Sequence, residues 1–553
     1  MMRGGDTAQL RKDRGAFFTP PEIADYLAEW AVGNDPEAKV LDPTCGEAVF
    51  LLSAGRLLRS LGAPRESLAG QLHGVDLHQD SLTWAAEELR DAGLSARLTQ
   101  ADFFEVSTPD QLTSTMPPMD AVIGNPPFIR YQQHTGDSRT RSLQAALRQE
   151  VRLSGLASSW AALLVHACGF LKPNGRLAMV LPAELLTVGY AEPIRAWLRQ
   201  RFEQVHLVLF ERLQFADAME KVVLVLAAGE GGCDAFSLYS LGDSSELAAI
   251  RPMTNLSVTP EGAGKWTDLL LSNRQRRLFK SLSSERFVSL STYGKPELGT
   301  VTGANNFFTL TDATRLRYRL SEGQHVRKVC PPKTKHLRGL TFSEDRWSEL
   351  RDLGERVWLL CPSPHDESPE LAAYLQVGLD QSVASAYKCR TRSPWWRPPA
   401  ATPPDFFFTY MSHHNPRLVA NTAGVTYLNS MHGVRLHAET PSAVGAGLPL
   451  GMLNSLTLLG AEVHGRSYGG GILKMEPREA AQLPMPGPSD VMAVATALHD
   501  ERDDLEKMVE AGDTASVIER VDRVLLQDIM KLSKGEIDQI QAAVVRLRMR
   551  RQA

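Results

Sequence analysis

The sequence has few of the features that mark secreted, membrane-bound or zinc-binding proteins. Its six cysteines lie far apart in 553 residues and form no CxxC pair, which argues against a disulfide framework and a cysteine zinc site. No apolar run reaches the roughly 18 residues of a membrane helix, and the N-terminus lacks the apolar core of a signal peptide. These absences predict a reduced, cytoplasmic protein.

An excess of positive charge is also missing. The formal net charge is −4, so any basic surface for nucleic acid must be local. The chain is 43% hydrophobic and 22% charged, which is ordinary for a globular protein with more than one core. At roughly 150 residues per domain, the length predicts three or four domains.

The first 230 residues alternate strand-like and helix-like runs. This alternation predicts an α/β fold with a mostly parallel sheet, and such sheets bind ligands at the carboxyl ends of their strands. The predicted strands are 39–41, 73–77, 96–101, 121–124, 176–181, 205–210 and 222–228, with helices at 48–61, 81–92, 160–171 and 194–201 and a turn at 172–175.

The rest of the chain has a different character. After a stretch rich in Gly and Ser at 229–242, the pattern is irregular until about residue 488, and 491–553 is helical and charged. We therefore predict three domains, 1–245, 246–488 and 489–553. The middle one is mixed α+β. The helical tail packs on it, pairs with a partner or forms a solvated helical hairpin.

Acidic residues follow three successive predicted strands. Asp42 precedes a turn that contains Gly46, Asp76 ends the second strand, and Asp102 with Phe103 follows the third. An acid after the second strand typically holds ribose hydroxyls, and a carboxylate beside an aromatic ring suits adenine. Because the phosphate-binding spacing GxGxxG is absent, a nucleoside without phosphates fits best, and S-adenosylmethionine is one. The alternative is that each acid only caps a helix or turn.

The fourth predicted strand leads into Asn125-Pro-Pro-Phe128. The two prolines fix φ and lack N–H donors, so a stiff turn is expected at the carboxyl edge of the sheet. The Asn125 amide oxygen and the Pro126 carbonyl could each accept one N–H of a planar amino group. That would direct the nitrogen lone pair at a methyl sulfonium, with Phe128 stacking on the base. The alternative is an ordinary proline turn with a buried Phe.

The order of these motifs resembles the gamma class of amino-methyltransferases, which form N6-methyladenine in DNA. The resemblance implies a class I S-adenosylmethionine-dependent methyltransferase fold, Rossmann-like with a seven-stranded sheet, followed by a target-recognition domain. It also implies base flipping, because a methyl donor cannot reach N6 inside a duplex. The matching segments are GAFFTPPEI (15–23), VLDPTCGEAVFL (40–51), GVD (74–76), ADFF (101–104) and NPPF (125–128), with weaker likeness at 302–308 and 466–477.

The resemblance assigns roles to individual residues. Asn125–Phe128 would be catalytic, and Phe215 would be a second aromatic wall for the extruded base. The family often has a second glycine where this chain has Ala48, and we expect alanine to be tolerated if its φ stays negative. The implied cofactor contacts are Phe17, Thr19, Pro20, Asp42, Thr44, Cys45, Gly46, Asp76, Leu77, Asp102, Phe103, Asn125 and Pro127.

Two basic segments are candidates for DNA contacts. Between 130 and 155 there are five arginines against two acids, in a polar stretch that is either a loop closing on DNA or a solvated connector. Around 387–397, cations interleave with two tryptophans, and arginine suits phosphates and guanine edges. The candidates are Arg130, Arg139, Arg141, Lys388, Arg390, Arg392, Trp395 and Arg397.

The sequence therefore predicts a site-specific methyltransferase for adenine N6 in double-stranded DNA, using S-adenosylmethionine and no metal. A separately encoded restriction endonuclease is a candidate partner, and we expect a monomer, with a dimer left open. Two other functions stay open: a modification subunit that needs a separate specificity chain, and a protein-glutamine N-methyltransferase with the same NPP chemistry. Ser in place of Asn125 would have favoured cytosine N4.

Overall fold

The computed structural model describes residues 19–129, 131–210, 222–250, 257–259, 264–363, 365–468 and 471–552. The chain forms two compact units, Met1–Leu269 and Leu270–Gln552. The predicted tail therefore belongs to the same unit as the predicted middle domain. The functional division at 245/246 and 488/489 remains a prediction.

A nine-stranded sheet lies within the described part of the first unit. Its strands are β1 (Val40–Asp42), β2 (Leu72–Asp76), β3 (Arg97–Gln100), β4 (Met119–Gly124), β5 (Leu171–Pro182), β6 (Gln204–Phe210), β7 (Val222–Ala228), β8 (Phe236–Leu241) and β9 (Ser257–Val258). Across the sheet their order is β3-β2-β1-β4-β5-β7-β6-β8-β9. The neighbouring strands β3, β2, β1, β4 and β5 are parallel to one another. Strand β7 is antiparallel to β5 and β6. The predicted α/β sheet is confirmed in its first seven strands.

The strands in the middle of the sheet are apolar along their length. β7 is buried at every position except the last, and in β6 only Gln204 is exposed. Continuous apolar runs are typical of strands that are covered on both faces. This is why 205–210 and 222–228 could be recognised from the sequence.

The predicted turn at 172–175 is wrong, because these residues lie inside β5. The partners of Leu171 and Arg176 are only two residues apart in β4, so the residues between them form a bulge. Lys172 Nζ donates to the carboxylate of Asp120 on β4 at 2.7 Å. Pro and Gly here mark a bulge in a strand rather than its beginning.

The predicted helices of the first unit are present, with ends shifted by at most three residues. The polar stretch after 130, expected as a loop or connector, instead contains the helix Gly136–Arg148, which buries Ser142, Ala145 and Ala146. The helices are Pro21–Val32, Val49–Ser60, Leu68–Gln71, Gln79–Asp91, Gly136–Arg148, Ser159–Cys168, Glu184–Thr187 and Glu192–Arg201.

The second unit is mixed α+β, as predicted. Its described strands form one five-stranded sheet, two three-stranded sheets and one two-stranded pair. The strands are Phe287–Ser289, Gly294–Leu298, Thr309–Leu310, Val326–Lys328, Thr341–Phe342, Trp358–Leu360, Phe406–Phe408, Met411–Ser412, Leu418–Asn421, His432–Leu436, Arg466–Tyr468, Ile472–Lys474 and Pro484–Pro486. The helices before the tail are Asn273–Glu285, Asn305–Phe308, Asp312–Arg317, Glu344–Asp352, Pro369–Asp380, Tyr387–Arg390, Ser442–Gly451, Ser455–His464 and Pro477–Ala481.

The tail packs on the rest of the second unit, which is one of the three arrangements that the sequence leaves open, and it is not a solvated hairpin. Tail residues such as Leu525 contribute more than half of a hydrophobic cluster that also contains Leu456. In addition, Glu506 accepts the N–H groups of Leu340 and Thr341 at 2.9 Å. The tail helices are Pro488–Ala497, Arg502–Glu510, Thr514–Asp522 and Lys534–Gln552, with a π-helical segment at Arg523–Ile529.

Within the described residues, no single helix is long and apolar enough to cross a membrane. The two consecutive helices Ser442–Gly451 and Ser455–His464, which meet at a bend, are together long and apolar enough for a membrane span, by length and composition only. All six cysteines are free thiols. In the ranges that the structure describes, no group of three or more His, Cys, Asp or Glu side chains could hold a metal ion.

Candidate active site

The carboxyl ends of four parallel strands, β3, β2, β1 and β4, lie at one edge of the sheet. Asp42 and Asp76 are the last residues of β1 and β2. Asp102 lies two residues beyond β3, and Asn125 directly follows β4. The structure thus brings the predicted acids and the NPPF motif to the edge where parallel sheets bind ligands.

The turn after β1 is held by the carboxylate of Asp76. Its Oδ2 accepts the Gly46 N–H at 3.1 Å, and its Oδ1 accepts the His78 N–H at 2.8 Å. Gly46 has a φ of +49°, and a Cβ added to it would meet no atom within 4 Å. Glycine is therefore favoured here by its backbone conformation, and the space beside it is open to a ligand.

Asp42 is fully buried beneath this turn. Its Oδ1 accepts the Thr44 N–H at 3.1 Å, whereas its Oδ2 and the Thr44 hydroxyl are buried without a partner among the described residues. Burial raises the pKa of Asp42 to about 8; the Thr44 N–H opposes this rise and the charge of Asp76 adds to it. A Cβ on Gly124 would lie 3.0 Å from Asp42 Oδ1, so the backbone just before the NPPF motif approaches Asp42 closely.

Ala48 does not keep the negative φ on which its tolerance was expected to depend. It has a φ of +66° and directly precedes the helix Val49–Ser60 in a left-handed conformation. Its N–H donates to the Cys45 carbonyl at 2.7 Å, so the tight turn itself imposes this conformation. Left-handed backbone is unfavourable for alanine and neutral for glycine.

We expect Ala48→Gly to stabilise the first unit by about 1 kcal/mol, because it relieves left-handed strain. Denaturant unfolding of the full chain measures the change. Ala191→Gly is the matched control, since Ala191 is also fully buried and directly precedes a helix, Glu192–Arg201, but has a φ of −84° and gains nothing from glycine. Equal or lower stability of Ala48→Gly would contradict the assignment of strain to this residue.

In the side-chain amide of Asn125, the nitrogen has a hydrogen-bond partner and the oxygen has none among the described residues. Its Nδ2 donates to the Thr19 hydroxyl at 3.3 Å. Its Oδ1 is buried and has no hydrogen-bond partner among the described residues. The amide is thus held on its donor side while its acceptor remains available to a donor that enters the site.

The NPPF turn is also bonded to Ser159, which the sequence did not single out. The Ser159 hydroxyl donates to the Pro127 carbonyl at 2.5 Å and accepts the Ile129 N–H at 3.0 Å. The Ser159 N–H donates to the Ile129 carbonyl at 3.0 Å. No local sequence signal points to this serine, because it lies more than thirty residues beyond Asn125.

Asp102, the predicted adenine acid, is held by an arginine that was predicted to contact DNA. Arg141 donates through Nε and one terminal nitrogen to Asp102 Oδ2 at 3.2 and 3.1 Å, and its Nε lies 3.3 Å from Glu105 Oε1. Arg139 on the same helix lies against Gly155, where a Cβ would be 2.6 Å from its guanidinium. The helix Gly136–Arg148 therefore directs Arg141 to the cofactor side of the edge.

Phe103 is almost completely buried. Its ring packs against His166 at 4.9 Å and Phe170 at 5.2 Å between centroids. Only 4% of the residue is exposed, so little of the ring is left for an adenine in this conformation. Stacking of the Phe103 ring on the adenine of the cofactor remains a prediction.

The other predicted residues of this unit differ in accessibility. Phe17, Arg130 and Phe215 lie outside the described residues. Cys45 and Thr19 are buried, whereas Leu77 is 60% exposed. The Pro20 carbonyl accepts the N–H of Ile23 in the first turn of the helix Pro21–Val32.

Two of the predicted DNA contacts in the second unit are exposed beside an aromatic ring. Lys388 Nζ and Arg390 Cζ lie 5.6 and 5.5 Å from the centroid of Tyr387, which is 64% exposed. Tyr387 begins the predicted basic segment 387–397, but its ring was not among the predicted DNA contacts.

The other three cluster residues bond within the second unit. Arg392 donates to the Thr302 carbonyl and lies over the Phe308 ring, and half-buried Trp395 packs 5.8 Å from Phe307. Arg397 Nε donates to the Pro362 carbonyl at 3.2 Å. Arg392 and Trp395 are thus tied to the core, and their contact with DNA remains a prediction.

Two family models match the chain. Residues 5–230 match the model described as N-6 DNA Methylase, and residues 263–526 match the model described as Type II methyltransferase M.Eco57I, C-terminal domain. Each model covers less than half of the chain. The boundary between the two compact units, at 269/270, lies just inside the start of the second match.

Similar curated proteins and one solved structure span most of the chain. Type II methyltransferase M.AccI of Acinetobacter calcoaceticus is 22% identical over 85% of this chain and 84% of its own length. Type II methyltransferase M.XamI of Xanthomonas campestris pv. amaranthicola is 23% identical over 85% of each. The structure of the type IIL restriction-modification enzyme MmeI in complex with DNA has a TM-score of 0.59 and 14% identity, and the match covers 98% of this chain and 80% of that one.

The sheet, its acidic carboxyl edge and the structural likeness define a class I methyltransferase fold. The NPPF turn directly follows β4 at this edge. The two family matches and the relatives support an adenine-N6 DNA methyltransferase of restriction–modification type.

Proposed function

We propose that the chain transfers a methyl group from S-adenosylmethionine to N6 of an adenine that is flipped out of double-stranded DNA. The observation that carries this proposal is Asn125 Oδ1, a buried acceptor without a partner among the described residues. Leaving such an oxygen unpaired costs free energy. A planar amino group entering the edge would supply the missing N–H.

The residues at the edge fit S-adenosylmethionine. Asp42 Oδ2 and the Thr44 hydroxyl are buried polar atoms without partners among the described residues, and Gly46 leaves space for close approach. The Asp76 oxygens each accept one N–H and keep further lone pairs for ribose hydroxyls. When bound, S-adenosylmethionine supplies a methyl group on a sulfonium.

Asn125 and the Pro126 carbonyl would each accept one N–H of the adenine amino group. This draws the nitrogen lone pair out of the ring and directs it at the methyl carbon. Thr19, which accepts the Asn125 Nδ2–H, keeps Oδ1 turned toward the base, and Phe128 offers a face for stacking. The nitrogen–carbon bond forms as the carbon–sulfur bond breaks, the electron pair goes to sulfur, and a proton leaves N6 for solvent.

We expect Lys388→Ala combined with Arg390→Ala to weaken DNA binding and to reduce its salt dependence. If both cations contact phosphates, the slope of log K against log salt falls by roughly 0.9 for each. Fluorescence anisotropy over a salt series measures this slope. Lys507→Ala is the matched control, because Lys507 is 73% exposed in the same unit but paired with Asp504. A slope equal to that of the control would show that Lys388 and Arg390 do not contact DNA phosphates.

The raised pKa of Asp42 predicts a fall in stability with rising pH. The unfolded carboxyl ionises near its ordinary value of 3.8, whereas in the folded protein it stays protonated up to about 8. Between these values the folded state binds one proton more, so the free energy of unfolding decreases as pH rises. We expect Asp42→Asn to flatten this part of the pH profile, and exposed Asp91→Asn to leave it unchanged; a slope retained in Asp42→Asn would contradict the assignment.

The direct test incubates the purified chain with S-adenosylmethionine and unmethylated DNA, followed by digestion to nucleosides and mass spectrometry. We expect N6-methyladenine. N4-methylcytosine would retain the chemistry and overturn the choice of base. No methylated base would refute activity of the chain alone and favour a separate specificity chain or a protein substrate.

A further inference from the structure

One serine ties the catalytic turn to the buried interior of the first unit. The Ser159 hydroxyl is both donor, to the Pro127 carbonyl, and acceptor, from the Ile129 N–H. Its own N–H bonds to the Ile129 carbonyl. Only 3% of Ser159 is exposed, so water cannot readily replace these three bonds.

The NPPF turn needs such an external partner because of its own sequence. Pro126 and Pro127 have no N–H, so neither residue can donate a backbone hydrogen bond that would fix the turn. Thr19 holds only the side chain of Asn125. Ser159 is the residue that binds the backbone immediately after the two prolines, on both sides of Phe128.

The element that carries Ser159 is itself firmly anchored. The helix Ser159–Cys168 is buried at every position. At its start, Trp160 Nε1 donates to the Tyr190 hydroxyl at 3.1 Å, and that hydroxyl lies 3.0 Å from Ser158 Oγ and 2.6 Å from Glu184 Oε2. Glu184 follows β5, the strand next to β4. The hydrogen bonds from Ser159 and its helix therefore connect the NPPF turn to the same sheet that positions Asn125.

We propose that Ser159 is a positioning residue for methyl transfer. Its hydroxyl fixes the Pro127 carbonyl and thereby the orientation of the Asn125 and Pro126 acceptors toward the incoming amino group. This inference rests on the proposed function.

The test compares Ser159→Ala with Ser455→Ala in the full chain. Ser455 is also the first residue of a buried helix, and its hydroxyl bonds to Asp522 in the second unit, so its loss removes a comparable buried hydrogen bond. We expect Ser159→Ala to lower kcat for DNA methylation about 10- to 100-fold, since small displacements of reacting groups have effects of this size. The KM for DNA and the Kd for S-adenosylmethionine should change less than about 2-fold, because binding groups remain in place.

Two further results decide the interpretation. Ser159→Thr keeps the hydroxyl and should recover most of the lost kcat, whereas Ser455→Ala should keep the wild-type kcat despite its lower melting temperature. A kcat for Ser159→Ala equal to that of Ser455→Ala would overturn the inference and leave the proposed function intact. Loss of cofactor binding together with kcat in both Ser159 variants would also overturn it, since the role would then be structural. An inactive wild-type chain would instead refute the proposed function.

Discussion

Replacing Asn125 by alanine is expected to lower the rate of methyl transfer by at least about 1000-fold while S-adenosylmethionine still binds. The substitution removes the unpaired Oδ1 that accepts the adenine amino group. Loss of one such preorganised group costs roughly 100- to 1000-fold in other enzymes, and here the lone pair would also remain conjugated with the ring. Asp42, Asp76 and Gly46, which would hold the cofactor, keep their positions.

Single-turnover methylation and calorimetric titration of the cofactor separate these two effects. Asn34→Ala, a change of the same type at an exposed position of the first unit, is the control and should be neutral. Asn125→Asp keeps an acceptor oxygen but loses the Nδ2–H that bonds to Thr19, so we expect an intermediate rate. Near-normal turnover in Asn125→Ala would show that another group activates the amine.

Glu462→Ala is expected to destabilise the second unit by about 3–5 kcal/mol, because it leaves a buried charge unpaired. Arg551 donates to both oxygens of Glu462, at 3.0 Å to Oε2 and 2.9 Å to Oε1. The two side chains are only 3% and 5% exposed. Since Arg551 lies at the end of the helix Lys534–Gln552, the pair fastens the tail to the helix Ser455–His464.

Denaturant unfolding of the full chain measures this loss. Glu349→Ala is the control, because it breaks a pair with Arg346 whose acid is 56% exposed, and such pairs contribute less than about 1 kcal/mol. Glu462→Ala combined with Arg551→Ala should cost less than the sum of the single changes, since the charge of Arg551 no longer stays buried without Glu462. Arg548, 3.7 Å from Glu462, loses its partner in both Glu462 variants alike. A loss no larger than that of the control would mean that the pair of Glu462 and Arg551 does not hold the tail.

The site residues that could be predicted are those whose position follows from the sequence immediately around them. Asp42, Asp76 and Asn125 each end or follow a strand, and parallel strands bring their carboxyl ends to one edge. The apolar pattern of strands such as β6 and β7 made the sheet recognisable. The bulge at 172–175 was missed because Pro and Gly serve strand bulges and turns alike.

The residues that could not be predicted depend on tertiary contacts. Ser159 reaches the NPPF turn across the fold, and Arg141 bonds to Asp102 only because the helix Gly136–Arg148 forms. The positive φ of Ala48 follows from a turn that closes on Cys45 rather than from the residue type. Basic residues such as Arg392 were expected at DNA because charge alone does not distinguish exposed cations from those that bond within a unit.

The tail illustrates the same limit. Its helices were recognisable from periodicity, but their partner was not, because an amphipathic helix can cover any apolar surface. The structure shows that Leu525 and its neighbours share a cluster with Leu456 of the second unit. The tail is therefore part of the core of that unit.

The measurement that tests the central claim most directly follows a heavy-isotope methyl group from S-adenosylmethionine into plasmid DNA, with wild-type chain and Asn125→Ala side by side. We predict labelled N6-methyladenine with the wild-type chain and none above background with the variant. Label on another base or on protein, or equal labelling by the two chains, would contradict the assignment of Asn125 to the adenine amino group.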